Sequence, residues 1–163
     1  MWEILGGLLV STAISGLVPV VNAEILVLVA AAAVPAVGVP LVAITSTLGQ
    51  MSTKTSLFML ARRAPHRLRG RARGVLERVR RRVERRGGAA GSLVFASAAT
   101  GVPPFYGVSL ASGALGMRLL PFFLAGGAGR LIRFGLLAWT GHTVGGSAFE
   151  RVSESVVLPF MGG

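Results

Sequence analysis

Four ionisable side chains in this sequence lie within apolar stretches, where charge is costly. They are Glu24, Lys54, Arg130 and Arg133. On membrane-insertion scales, a charged side chain at the centre of a helix costs about 2.5–3.5 kcal/mol, so a charge at this depth marks a candidate functional site. Arg130 and Arg133 are spaced i, i+3 and therefore share a helix face. Because Glu24 is the only deeply placed carboxylate, we predict that it meets these arginines in the interior.

The chemistry open to these residues is proton exchange and anion binding. A carboxylate such as Glu24 gains or loses a proton according to its burial and its charged neighbours, which suits a coupled protonation step. The planar guanidinium groups of Arg130 and Arg133 match the geometry of a phosphate group. Lys54 has two interpretations: extension to the membrane surface, or membership of an internal charge network. A Glu–Arg pair that only locks helices together is the structural alternative.

Other catalytic chemistry finds no support in the residue types. The chain has no cysteine, no aspartate and only two histidines, so we expect no disulfide, no metal site and no cofactor. Residues 127–129 begin like a dinucleotide fingerprint, but Ile132 stands where its third glycine belongs. Residues 107–111 lack the final glycine of a nucleophile elbow. We therefore expect that the protein is not an enzyme.

The elements that carry the four charges are too apolar for an ordinary soluble domain. Hydrophobic residues make up 52% of the 163 residues and charged residues 14%, and the mean hydropathy is +0.68. Residues 25–53 and 87–117 contain no charged side chain. Each run exceeds the roughly 20 residues that cross a bilayer core. We predict one all-α polytopic membrane domain over residues 1–163.

Two apolar stretches are broken by proline. The first contains Pro19 and Pro35, and the second contains Pro103 and Pro104. Proline removes a backbone donor, and broken backbone at membrane depth occurs only where protein or a water cavity covers it. Transporters carry such interruptions at corresponding positions of two repeats. We predict two re-entrant helical hairpins, the first over roughly 18–37, packed with spanning helices in two pseudo-symmetric halves.

The predicted spanning helices are residues 4–18, 41–61 and 119–141. Serine, threonine and glycine in the second of these allow helices to approach closely. Residues 146–163 contain a segment too short and too charged to span, and are predicted to form a peripheral tail.

An arginine-rich loop over residues 62–88 separates the halves. Twelve arginines lie in it, so the positive-inside rule predicts that it is cytoplasmic. Val75, Leu76, Val79 and Val83 form an apolar stripe, which predicts an amphipathic helix on an anionic leaflet. No aromatic residue interleaves the arginines, so we expect no specific nucleic-acid binding. The arginines expected to contact lipid headgroups are Arg78, Arg81, Arg82 and Arg85.

These motifs resemble the DedA/VTT-domain family of membrane proteins, also called SNARE-associated. The likeness lies in PVVNAEILVL, in TLGQMSTKTSLFMLARR, and in GVPPFYGVSLASGALGM followed by FFLAGGAGRLIRF. Glu24, Arg130 and Arg133 fall on acid and arginine positions of the family. Two departures are that Lys54 replaces an acid, and that an arginine near the second proline turn is absent. The closer likeness is to the small inner-membrane branch.

The resemblance implies a fold and a function. The fold would have two opposed re-entrant hairpins in the bacterial cytoplasmic (inner) membrane. The function would be translocation of a phosphate-bearing lipid, such as a polyprenyl phosphate or a phospholipid, coupled to protons. Anionic lipids and protons are the expected partners, and a homo-oligomer is left open. The alternatives are a small-ion or drug/H⁺ transporter, and a membrane interaction protein that recruits partners through the arginine-rich loop.

Overall fold

The computed structural model describes residues 2–17, 23–63 and 90–161, together with Gly74, Glu77 and Arg81; of Leu17 and residues 146–161 only the backbone is described. Across these ranges the regular secondary structure is entirely helical, which confirms the all-α prediction. One 3-10 turn covers Ala36–Gly38. The α-helices are α1 (Trp2–Leu17), α2 (Ala23–Ala32), α3 (Val39–Arg63), α4 (Ala90–Thr100), α5 (Phe105–Ala114) and α6 (Leu119–Met161).

Helix lengths divide the described chain into four short elements and two long ones. The short helices α1, α2, α4 and α5 have 10 to 16 residues. At a rise of 1.5 Å per residue they are about 15–24 Å long, less than the roughly 30 Å of a bilayer core. α3 has 25 residues and α6 has 43. Of the helices described, one stretch, Leu119–Gly145 of α6, is both long and apolar enough to cross a membrane.

The packing of these helices interleaves the two halves of the chain. α3 and α6 pack against each other, and each also packs against one short helix from each half. α1 and α5 pack against α3, whereas α4 and α2 pack against α6. The second short helix of each half thus lies on the long helix of the other half. This exchange is the contact pattern that two pseudo-symmetric halves would produce.

The helices are interrupted at prolines that the sequence singled out. Pro35 precedes the 3-10 turn, and Pro103 and Pro104 separate α4 from α5. Gly101 has φ +80° there, a conformation that glycine adopts without a steric penalty. The fourth predicted break, Pro19, lies outside the described residues. That the broken pairs are re-entrant stays a prediction.

Apolar side chains cover much of the surface, while polar side chains are common in the interior. The exposed hydrophobic residues include Ile14, Val29, Leu48, Leu60, Leu124, Ile132, Leu136 and Trp139. The buried polar residues are Thr12, Ser15, Ser46, Thr47, Gln50, Thr53, Lys54, Ser97, Ser109 and Ser112. An exposed apolar surface of this extent marks contact with a membrane or with another protein.

The C-terminal part of the chain continues α6. The helix does not end near residue 141, as the predicted span did, but runs to Met161. The predicted peripheral tail over 146–163 is therefore helical as far as the backbone is described.

Glycines set the distance between α6 and two of its neighbours. A β-carbon added at Gly129 would lie 2.6 Å from the Phe95 carbonyl oxygen of α4. One added at Gly141 would lie 2.5 Å from the Leu28 carbonyl oxygen of α2. Both distances are far inside van der Waals contact, so these helices touch through their backbones. Small residues have this role in membrane helix packing.

We expect Gly129→Ala to lower the stability of the protein and Gly127→Ala, two residues away on the same helix, to leave it unchanged or raise it. Alanine favours a helix over glycine by about 1 kcal/mol at both positions. At residue 129 the methyl group overlaps α4, and overpacking costs about 1–3 kcal/mol. A methyl group at residue 127 meets nothing within 4 Å. Thermal unfolding of the purified chain in detergent gives both midpoints, and equal midpoints would contradict the close approach.

Candidate functional site

An ion pair between Arg133 of α6 and Glu24 of α2 joins the two broken stretches. Nε of Arg133 donates to Oε1 of Glu24 at 3.1 Å, and Nη2 of the same guanidinium donates to the same oxygen. Nη1 donates to the carbonyl oxygen of Ala99 at 3.1 Å. The predicted contact between Glu24 and an arginine of the last helix is therefore present, with Arg133 as the hydrogen-bonding partner.

Both groups that Arg133 binds lie at helix ends. Glu24 is in the first turn of α2, where a negative charge interacts favourably with the positive end of the helix dipole. Ala99 is the second-to-last residue of α4, and the last carbonyls of a helix have no partner within it. One guanidinium group thus connects a helix start from the first half to a helix end from the second.

The ion pair is partly open to its surroundings. The Glu24 side chain is 39% exposed and that of Arg133 is 23% exposed. Gly101 lies beside the guanidinium, and a β-carbon there would be 3.3 Å from Nη1 of Arg133. The missing side chain at residue 101 leaves room for the guanidinium to reach the end of α4.

Lys54 of α3 contacts the end of α1 in the way that Arg133 contacts the end of α4. Its side chain is 5% exposed, and Nζ donates to the carbonyl oxygen of Gly16 at 2.7 Å. Gly16 is the second-to-last residue of α1, just as Ala99 is in α4. Nζ also lies 5.3 Å from the centroid of the Tyr106 ring. Of the two interpretations of Lys54, this buried contact favours membership of an internal charge network over extension to the membrane surface.

Arg130 lies between two buried aromatic rings. Its Cζ is 5.0 Å from the centroid of Phe105 and 5.6 Å from that of Phe134, distances at which cation–π attraction is effective. Its Nε is buried and has no hydrogen-bond partner in the described part of the chain. The rings supply no acceptor for this Nε–H, which is left for another group.

The interior has more positive than negative charge. Arg130 interacts electrostatically with Lys54, with Arg133 and with Glu24. Among the described residues the interior therefore holds three cations and one carboxylate, which leaves two positive charges in excess. Among the side chains that are described, the remaining carboxylates, Glu3 and Glu77, are exposed. A site of this composition attracts an anion.

The arginines that were expected to contact lipid headgroups are not part of this site. In the arginine-rich loop, Nε of Arg81 is 3.3 Å from Oε1 of Glu77 on the exposed surface. Arg78, Arg82 and Arg85 lie outside the described residues. Within the described ranges, no group of three or more histidine, cysteine, aspartate or glutamate side chains is placed to hold a metal ion.

The sequence interpretation missed the aromatic residues of the site. Phe134 lies four residues after Arg130, a spacing that places both on one helix face. Phe105 and Tyr106 directly follow the Pro103–Pro104 break, which places them at a helix start. Both signals were in the sequence. The carbonyl groups of Gly16 and Ala99 gave no such signal, because they depend on where α1 and α4 end.

No family model, no curated protein and no solved structure matches this chain. The class that the described residues define is a helical protein with one candidate membrane-spanning helix among them and a charged interior. The resemblance to the DedA/VTT-domain family stays a prediction from the motifs.

We expect Glu24 and Arg133 to be energetically coupled. In a double-mutant cycle with Glu24→Gln and Arg133→Gln, the interaction free energy for two contacting residues is about 0.5–3 kcal/mol. The partial exposure of the pair places the value toward the lower end. Equilibrium unfolding of the four proteins in detergent measures it. The same cycle with Arg118→Gln, an exposed arginine before α6, serves as the control. Equal coupling in the two cycles would exclude a specific ion pair.

Proposed function

We propose that this chain is a multi-pass protein of the bacterial cytoplasmic membrane that translocates a phosphate-bearing lipid. The headgroup passes through the interior site at Glu24, Arg130 and Arg133, while the acyl chains stay in the bilayer. One observation carries this proposal: an excess of cations lies inside a helical protein whose surface is largely apolar. In this proposal the chain is a member of the DedA/VTT-domain family.

The surface supports a membrane location for more than one helix. α6 is apolar enough to span by itself, and α3 is long enough but holds many polar residues. Those polar residues bind α1: Gln50 Nε2 donates to Ser15 Oγ at 3.2 Å, and Thr53 Oγ1 donates to the Ala13 carbonyl oxygen at 2.7 Å. Polar groups paired inside the protein are compatible with lipid outside it. We therefore assign α3 as a second spanning helix.

The short helices support the re-entrant hairpins. No helix of about 15–24 Å crosses a core of roughly 30 Å by itself, and the two members of each broken pair contact each other, which supports a pair that enters and returns on the same side. Backbone at such a break needs hydrogen-bond partners within the protein. Ser97 Oγ donates to the Pro103 carbonyl oxygen at 2.6 Å, and the backbone N–H of Val102 donates to Thr100 Oγ1 at 3.2 Å. These bonds supply what the break requires.

The charges favour an anionic substrate over a cationic one. A phosphate group accepts hydrogen bonds from guanidinium groups in a bidentate geometry, and two unneutralised positive charges repel a metal ion or a cationic drug. In this proposal proton coupling enters at Glu24, the carboxylate of the site, whose charge holds Arg133 to the start of α2.

The arginine-rich loop over 62–88 has a separate role in this proposal. It fixes the cytoplasmic side and lies on anionic headgroups, each basic residue contributing about 1 kcal/mol. We assign it no specific nucleic-acid partner.

We expect Glu24→Gln and Arg130→Ala to lose lipid translocation in reconstituted proteoliposomes. A hydrogen bond to a charged group contributes about 1.5–3 kcal/mol, which corresponds to about tenfold or more in rate. Fluorescent phospholipid quenched from outside reports the rate. Arg118→Ala, which removes an exposed arginine, is the matched control and should retain the wild-type rate. Wild-type rates in both site variants would remove the proposed mechanism.

The same proteoliposomes separate the alternatives. Ion or proton flux without lipid movement would identify a small-ion or drug/H⁺ transporter. Deletion of residues 66–86 should leave a lipid translocator partly active. It would abolish the function of a protein that acts by recruiting partners through this loop.

The absence of native cysteine makes topology directly measurable. We expect Gly74→Cys, in the arginine-rich loop, to react with a membrane-impermeant maleimide only from the cytoplasmic side. Leu136→Cys, at an exposed position of α6, should resist the same reagent because lipid covers it. Labelling of Leu136→Cys in intact cells or in inverted vesicles would contradict the membrane-spanning assignment of α6.

A further inference from the structure

Lys54 and Arg133 occupy equivalent positions in the two halves. Each lies about four turns into its long helix, Lys54 in α3 and Arg133 in α6. Each donates to the carbonyl oxygen of the second-to-last residue of the first short helix in its own half. The two contacts are one structural device used twice.

The equivalence extends to the second short helix of the opposite half. Arg133 contacts Glu24, the second residue of α2, and Lys54 lies over the ring of Tyr106, the second residue of α5. One cation therefore has a carboxylate at this position and the other has a phenol ring. The surroundings of Arg133 and Lys54 therefore differ in charge, although the two side chains make equivalent contacts.

This difference determines where the excess charge lies. Glu24 neutralises Arg133, whereas Tyr106 brings no negative charge to Lys54. Arg130 interacts electrostatically with Lys54, Arg133 and Glu24, and its guanidinium lies over the rings of Phe105 and Phe134, which carry no counter-charge. Burying charge without a counter-ion is costly, so an anion between Lys54 and Arg130 would be stabilised more than one at the neutralised pair.

The start of α5 brings further donors to the same place. Phe105 and Tyr106 are consecutive, so the two cations that lie over their rings flank the first turn of α5. The N–H groups of Gly107 and Val108 donate to the Pro104 carbonyl oxygen at 2.9 and 3.2 Å, so the helix itself lacks an acceptor only for the N–H groups of Phe105 and Tyr106. Tyr106 is 46% exposed, so this helix start reaches the surface of the protein.

We infer that Lys54 and Arg130 form a binding site for a phosphate group at the start of α5. The Glu24–Arg133 ion pair beside it has a structural role, because it connects α2, α4 and α6. The ligand is a phosphate borne by a lipid headgroup, or free phosphate. Its oxygens accept from the ammonium, from the guanidinium and from the backbone N–H groups. This inference rests on the proposed function for its role in transport, but the binding site itself can be tested without transport.

The test measures binding to the purified full-length chain in detergent by native mass spectrometry. The probes are dioctanoyl phosphatidic acid, dioctanoylglycerol as the same lipid without phosphate, and inorganic phosphate. We expect phosphatidic acid to bind and dioctanoylglycerol not to bind. Competition by millimolar inorganic phosphate would show that the site takes the group from either source, and lack of competition would restrict it to the lipid. Equal binding of both lipids would overturn the inference.

Variants locate the site. Lys54→Gln and Arg130→Gln should each weaken phosphatidic acid binding by about tenfold, the loss expected for one charged hydrogen bond. Lys54→Arg keeps the cation and should retain binding. Arg133→Gln, which removes the ion pair with Glu24, should weaken phosphatidic acid binding less than Lys54→Gln or Arg130→Gln does. Wild-type affinity in Lys54→Gln, or the largest loss in Arg133→Gln, would overturn the inference.

Tyr106 gives a second test that leaves the buried residues intact. Tyr106→Glu recreates at Lys54 the neutralised arrangement of the Glu24–Arg133 pair, so we expect it to weaken phosphatidic acid binding by about tenfold. Tyr106→Gln removes the same ring without adding a charge, so the difference in binding between the two variants measures the effect of the carboxylate. If both bind alike, the charge of Lys54 does not hold the ligand.

The outcomes for binding and transport are separable. Intact binding at Lys54 and Arg130 without lipid translocation in any condition would remove the proposed function and keep the site. Loss of translocation in Glu24→Gln, together with wild-type binding in Lys54→Gln and Tyr106→Glu, would keep the function and remove the site.

Discussion

The structure depends on how helix ends inside the protein are given hydrogen-bond partners. The last carbonyl groups of a helix have no partner within it, and no water replaces one where protein or lipid surrounds the end. α1 and α4 both end against a long helix, and that helix supplies a cation: Lys54 to Gly16 and Arg133 to Ala99. The breaks in the chain and the charges in its interior therefore have a common physical cause.

This constraint also creates the candidate site. Charges that satisfy carbonyl groups are not neutralised by them, because a carbonyl carries only part of a negative charge. Of the three interior cations, Arg133 is hydrogen-bonded to the single carboxylate, Glu24. A helix-locking ion pair and an anion site are then no longer exclusive alternatives. The former describes the contact of Arg133 with Glu24, and the latter is the role that we propose for Lys54 and Arg130.

Much of the site could be predicted because charge in an apolar stretch has few solutions. Glu24 had to meet a cation, and the i, i+3 spacing of Arg130 and Arg133 limited the choice to one helix face. The choice between the two arginines depends on where α4 ends, because the end of α4 draws Arg133 toward Ala99. Hydropathy alone does not locate a helix end. The hydropathy pattern also predicted that the last span ends near residue 141, but α6 continues through Gly141 to Met161.

Sequence matching alone does not identify which residue of the second half lies opposite Glu24. Matching the two Val-Pro pairs places Val108 opposite Glu24, so this matching gives the second half an aliphatic residue where the first half has the acid. The helices begin at different distances from their prolines, however: α2 begins at Ala23, four residues after Pro19, and α5 begins two residues after Pro103. Matching by helix position places Tyr106 opposite Glu24 instead. Only the folded arrangement makes that comparison possible.

Hydropathy identifies a spanning helix in α6 but not in α3, which holds more polar residues. α3 packs against α1, α5 and α6, so it has neighbours on several sides, and its polar groups are used in those contacts. α6 carries exposed leucine, isoleucine and tryptophan side chains between its contacts. Because the two helices pack against each other, an environment that surrounds α6 also surrounds α3 at the same depth. In a bilayer, the polar composition of α3 would then follow from its central position.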